Sequence, residues 1–132
     1  MRRRGKTDEL YVITKGKDLC RYIFTVTDKA PKKYRFTFIS RLQNHGLNVV
    51  ENLYRANMVY VRGRADQSRI EQRKFYQRKA YVDLKVLCYI AMISMEQKCI
   101  LPKQYEQISM QAAEVMKLLA AWSRSDQKRY RG

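Results

Sequence analysis

The stretch "KAPKKYRFTFISRLQNHGLNVVENLYRAN", residues 29–57, decides the fold. Its opening, Lys33-Tyr34-Arg35-Phe36-Thr37-Phe38, alternates polar and aromatic residues as a strand does. The alternation fails from Ile39 to Leu42. Tyr34, Phe38, Leu42, Gly46, Val49, Leu53 and Tyr60 instead recur at spacings of three, four or seven, which is the stripe of a helix. The spacing therefore predicts a helix from Pro31, a residue suited to a first helical turn, to near Val61. Glu51 and Arg55 stand four apart in the favourable order. Phe36 falls on a face beside the stripe.

Working outward, three further helices follow from the same reasoning. Thr7 suits an N-cap, with Asp8 and Glu9 in the first turn, and Ile13, Gly16, Cys20 and Ile23 continue at helical spacing beside Leu10 and Phe24. Gly16 would admit a close helix neighbour. A third helix is predicted from Ser68 to Gln97. Its first half, "RIEQRKFYQRK", is basic, and its second, "AYVDLKVLCYIAMISM", is apolar nearly all round. A helix apolar on every side is buried on every side, which in a small bundle implies other subunits. Asp83 and Lys85 interrupt it. Asp83 is expected to pair with a base on a neighbouring helix, and Lys85 either snorkels to an edge or lines an interface. Pro102 opens a fourth helix with Tyr105, Ile108, Ala112, Val115, Leu119 and Trp122 on one face. The expected fold is all-α, an antiparallel up-down-up-down four-helix bundle over residues 7–126, with a disordered basic arm at 1–6 and a basic tail at 127–132.

Composition narrows the function. Lys and Arg number 28 against 12 acids, a net charge of +16 on 132 residues. Such self-repulsion points to a polyanionic partner, nucleic acid before membrane. The candidate contacts are Arg2, Arg3 and Arg4 in the arm; Lys32, Lys33, Arg35 and Arg41 at the second helix; and Arg62, Arg64, Arg69, Arg73, Lys74, Arg78, Lys79 and Lys85 over the turn and third helix. Arg124, Lys128, Arg129 and Arg131 form a further group at the end. Phosphate contacts of this kind carry affinity and salt dependence but little sequence information. Tyrosines could stack on unpaired bases, although Tyr34, Tyr81 and Tyr105 stand at core positions.

Little in the chain suggests catalysis. His45 is the sole histidine and has no acid three or four residues away, so a structural or interface role is expected. The acids are scattered singly apart from Asp8-Glu9, which helix capping explains. Phosphate-loop, dinucleotide and nucleophile-elbow motifs are missing. No enzyme, cofactor or metal is expected, and a nuclease whose acids converge in the fold is the catalytic rival. Cys20, Cys88 and Cys99 lie singly among apolar residues, as free thiols of a reducing compartment do. The apolar run at 86–95 is too short to span a bilayer, so a soluble, cytoplasmic protein is expected.

The segments "PKKYRFTF", "VVENLYRAN" and "ILPKQYEQI", taken with the run of helices over about residues 7–126, resemble the small bundle proteins related to those encoded in large-subunit rRNA intervening sequences. Within that group the chain looks most like the accessory variability determinants (Avd) of diversity-generating retroelements. The resemblance implies a pentameric barrel with a basic surface and no catalytic residues. It also implies two partners, a reverse transcriptase and its template RNA, in mutagenic cDNA synthesis and retrohoming. Lys85 matches a position where that family tends to keep a base. The other basic residues rest on charge and register. A structural, rRNA-associated bundle with no reverse transcriptase partner is the alternative.

Overall fold

A computed structural model describes the backbone of residues 4–130 and the side chains of residues 9–130. Four helices, α1 (Arg4–Asp28), α2 (Ser40–Met58), α3 (Gln67–Glu96) and α4 (Pro102–Tyr130), run up, down, up and down. The pairs α1/α2, α2/α3, α3/α4 and α4/α1 pack side by side, so the expected antiparallel four-helix bundle is present. Helix α1 begins at Arg4 rather than Thr7, and α4 carries the expected tail in helical form through Tyr130. The side chains of Thr7 and Asp8, expected as cap and first turn, lie outside the described residues, as do residues 1–3, 131 and 132.

Each helix contributes one stripe to a shared core. Val12, Leu19 and Ile23 enter from α1, Leu42, Val49 and Leu53 from α2, Leu84 and Leu87 from α3, and Ile108, Val115, Leu119 and Trp122 from α4. Each such side chain, fully buried, contributes about 1.5–3 kcal/mol of hydrophobic stabilisation. The α4 stripe is the one expected from spacing. On α1 the expected stripe holds, with Gly16, Cys20 and Ile23 buried and Ile13 packed against the core, but its flanks differ: Leu10 and Phe24 are exposed, and Val12, Leu19 and Val26 take the interior. Glycines set the α1–α2 distance. A Cβ on Gly16 would stand 2.8 Å from Leu53 Cδ1, and one on Gly46 would stand 3.3 Å from Ile23 Cδ1 and 3.4 Å from Cys20 Sγ.

The entry to α2 departs from a regular helix. Residues Lys32–Tyr34 form a 3₁₀ turn and Arg35–Ile39 a π turn, closed by the Ser40 N–H donating to the Arg35 carbonyl. The wide turn takes up one residue between two anchors. Tyr34 is fixed where its hydroxyl donates to the Gln97 carbonyl at 2.7 Å, and Ile39 must reach the core. Tyr34 and Phe38 turn inward with ring centroids 5.6 Å apart.

The exit differs too. Helix α2 stops at Met58, and Val59 is extended with φ −78° and ψ 109°. Val59 and Val61 then point inward onto Ile70 in a small second cluster. Alternation sends Tyr60 out, 70% exposed, so it is not on the core stripe. At the α3–α4 turn Lys98 takes φ 65°, and the Leu101 N–H donates to Gln104 Oε1 at 2.8 Å as α4 begins at Pro102. No helix among the described residues is long and apolar enough to cross a membrane.

Candidate nucleic-acid interface

The expected contacts with described side chains fall into two structural classes, exposed and buried, and one of them is buried. Arg73 is 5% exposed. Its Nε donates to Asp126 Oδ2 at 2.7 Å and its Nη2 to Asp126 Oδ1 at 3.1 Å, a two-pronged pair joining α3 to α4. Nη2 also meets Glu9 Oε1 on α1 at 3.0 Å, and Nη1 donates to the Val59 carbonyl at 3.2 Å. Gln77 Nε2 completes Asp126 at 2.9 Å, and the guanidinium lies 5.1 Å from the centre of a Trp122 ring. Burial works against the Arg73 charge, but Asp126 and then Glu9 outweigh it and raise its pKa. Burial raises the pKa of Glu9 in turn, against the opposing pull of Arg73. Arg73, expected as a contact, is therefore a buried cation whose guanidinium is paired inside the bundle. Glu9, expected merely to complement a helix start, is its buried partner.

The signal for this network was in the register. Arg73 and Gln77 continue the stripe of Ile70, Ala80, Leu84 and Leu87 along α3. Asp126 follows Trp122 by one turn on α4, and Glu9 precedes Val12 on α1. Four polar residues on the core stripes of three helices, at one end of the bundle, are bound to meet.

The remaining expected cations with described side chains are exposed. Lys32, Lys33 and Arg35 lie on the 3₁₀ and π turns before α2 and Arg41 in the first turn of α2; Arg62 and Arg64 lie in the turn before α3; Arg69, Lys74, Arg78, Lys79 and Lys85 lie along α3. Arg64 is thus off the helix. Arg62, Arg64 and Arg69 line one shared depression. Arg69 has a second duty, since its Nη1 donates to the Tyr60 carbonyl at 3.3 Å and holds the turn. Lys74 approaches Glu71 at 3.9 Å, a weak exposed pair. Arg2 and Arg3 lie outside the described residues, as does the side chain of Arg4.

An apolar strip runs beside these charges. Phe75, Val82, Val86 and Tyr89 share one outward face of α3, edged by Arg78 and Lys85. Tyr81, expected in the core, is also exposed. The apolar half of α3 thus exceeds what its own bundle buries, as the sequence suggested.

Asp83 meets a base on a neighbouring helix, as expected, and that base is His45. His45 Nδ1 and Asp83 Oδ1 are 2.8 Å apart, and Asn52 Nδ2 donates to Asp83 Oδ2 at 3.4 Å. The partner of His45 has no trace in the spacing along α2, because it stands on α3. Among the described residues no group of three His, Cys, Asp or Glu side chains is placed to hold a metal ion. Cys20 and Cys99 are buried and Cys88 half-buried, all free, and burial pushes each thiol up.

Fold and surface together define a basic antiparallel four-helix bundle. No family model and no curated protein matches the sequence. A similar solved structure is that of a protein of unknown function from the S23 ribosomal protein family of Bacteroides thetaiotaomicron. The two align with a TM-score of 0.71 over 89% of this chain and 98% of that one, at 19% identity. The two proteins share a fold.

Proposed function

We propose that the protein is a non-catalytic, homo-oligomeric accessory subunit of a mutagenic reverse transcriptase, holding template RNA and enzyme together during cDNA synthesis. The observation that carries this reading is how the charge is divided. Glu9, Asp126 and Asp83 are spent on internal partners, whereas every expected cation with a described side chain except Arg73 stays in solvent. A surface with that surplus neutralises phosphates and releases counterions. The apolar strip of α3 supplies a second surface, for a neighbouring subunit or the enzyme. The sequence resemblance to Avd proteins supplies the particular partner.

Reversing charge at Arg78 and Lys85 tests the reading. Both are exposed, so helical content should be unchanged while association with a co-expressed neighbouring reverse transcriptase or its template RNA is lost. Retention of both associations would sink it. Light scattering on the pure protein should give a ring rather than a monomer. The second reading, a structural rRNA-associated bundle, is favoured by the likeness to the S23-family structure. A reverse transcriptase gene and a repeat pair beside the coding sequence would decide against it.

A further inference from the structure

One side chain at the α1–α2 end of the bundle is explained by no packing. Phe36 is 85% exposed. It stands on the π turn between two inward-facing aromatics, Tyr34 and Phe38. Tyr34 is tied to the end of α3 through Gln97, and the turn itself is closed by the Ser40 N–H. Phe36 is thus held outward from a fixed base. An apolar ring presented in this way has a use for a flat, apolar partner.

Its surroundings say which partner. Lys32, Lys33 and Arg35 are all exposed beside it, and the Arg35 guanidinium lies 6.0 Å from the centre of the Phe36 ring. Between Asp28 and Glu51 the chain has no acidic residue. The up-down topology brings Lys98, from the α3–α4 turn, and Lys103, from the first turn of α4, to the same end, against Asp28, Glu96 and Glu106. An apolar protein surface laid on Phe36 would strip water from these cations without pairing them. A nucleotide offers a flat base for the ring and a phosphate for the charges.

We propose that Phe36 stacks on an unpaired base while Lys32, Lys33 and Arg35 hold the flanking phosphates, so that this end of the bundle takes single-stranded nucleic acid. The inference rests on the nucleic-acid reading above and adds the form of nucleic acid and the residue that selects it. A duplex keeps its bases stacked on each other and presents the ring with no open face.

The test compares the full chain binding a short oligoadenylate, an abasic oligonucleotide of equal length and an RNA duplex, followed by fluorescence anisotropy. The wild type should bind oligoadenylate more tightly than the abasic strand by on the order of tenfold. Phe36→Ala should abolish that ratio and leave abasic and duplex affinities unchanged. Phe36→Leu, apolar but without a π face, should behave like Phe36→Ala. Phe36→Trp should keep the ratio, with its indole emission quenched on binding over the constant signal of buried Trp122. Circular dichroism should show all three variants as helical as the wild type. A ratio that survives Phe36→Ala overturns the stacking assignment while the nucleic-acid reading stands. Full retention by Phe36→Leu identifies an apolar docking contact and overturns it as well. No binding of any probe by the wild type at low salt brings down the underlying reading, and this inference with it.

Discussion

The two ends of the bundle use positive charge in opposite ways. Where α1 begins and α4 ends, Arg73 is sealed between Glu9, Asp126, Gln77 and the Val59 carbonyl. Where α1 hands over to α2, Lys32, Lys33 and Arg35 stand in solvent around an exposed phenylalanine. The first arrangement joins three helices and the intervening turn. The second joins nothing within the chain, except that the turn beneath it is pinned by Tyr34. A cation's position on its helix, rather than its membership of a charged run, decides which fate it has. Arg73 and Arg78 belong to the same run on α3, yet one is core and the other surface.

Removing Arg73 should give the largest effect. Breaking one partner out of a buried ion pair costs about 3–5 kcal/mol, because the remaining carboxylates lose their counter-charge. Arg73→Met should lower the urea midpoint accordingly while leaving RNA affinity of the folded fraction unchanged. A large loss of affinity without loss of stability would return Arg73 to the contact surface. The His45–Asp83 pair lies between the extremes, half-buried and hydrogen-bonded across α2 and α3. Asp83→Ala should cost about 1–3 kcal/mol, the penalty for stranding a partly buried polar partner.

A subtler effect sharpens the contrast through pH. Burial raises Glu9 above its ordinary value of 4.5, so the folded protein holds that proton more tightly than the unfolded chain does. The contribution is complete below 4.5 and is lost as pH rises through the raised value. Urea titrations at several pH values should show wild-type stability, relative to Glu9→Gln, falling across that window. A difference that grows with pH would contradict the assignment. Smallest of all is the solvent-exposed Glu51–Arg55 pair at 2.7 Å, where Glu51→Gln should leave the melting temperature unchanged.

Much of this was legible in the sequence where one period ruled. The α4 face from Tyr105 to Trp122, the helical reading of residues 40–57 and the outward apolar half of α3 all follow from spacing. Three features were not legible, each for its own reason. The π turn is a compromise between Tyr34, held by Gln97 more than sixty residues away, and Ile39, held by the core. Tyr60 left the stripe because Val59 and Val61 found Ile70 and pulled the backbone into an extended form. The Arg73 network was not legible from charge: its members sit on core stripes, but the basic run around Arg73 has the pattern of a surface. The surface chemistry was legible only as a total charge, since a stripe says which residues face in and not what meets those facing out.

The central claim is that the exposed cations, and not the buried one, bind a polyanion. It is tested most directly by the salt dependence of single-stranded RNA affinity, measured for the wild type and for Lys32, Lys33 and Arg35 changed together to Gln. The account predicts that log affinity falls linearly with log salt, and that the triple variant has a slope shallower by roughly 2, from three lost phosphate contacts at about 0.7 each. Affinity independent of salt, or a triple variant with the wild-type slope, would contradict it.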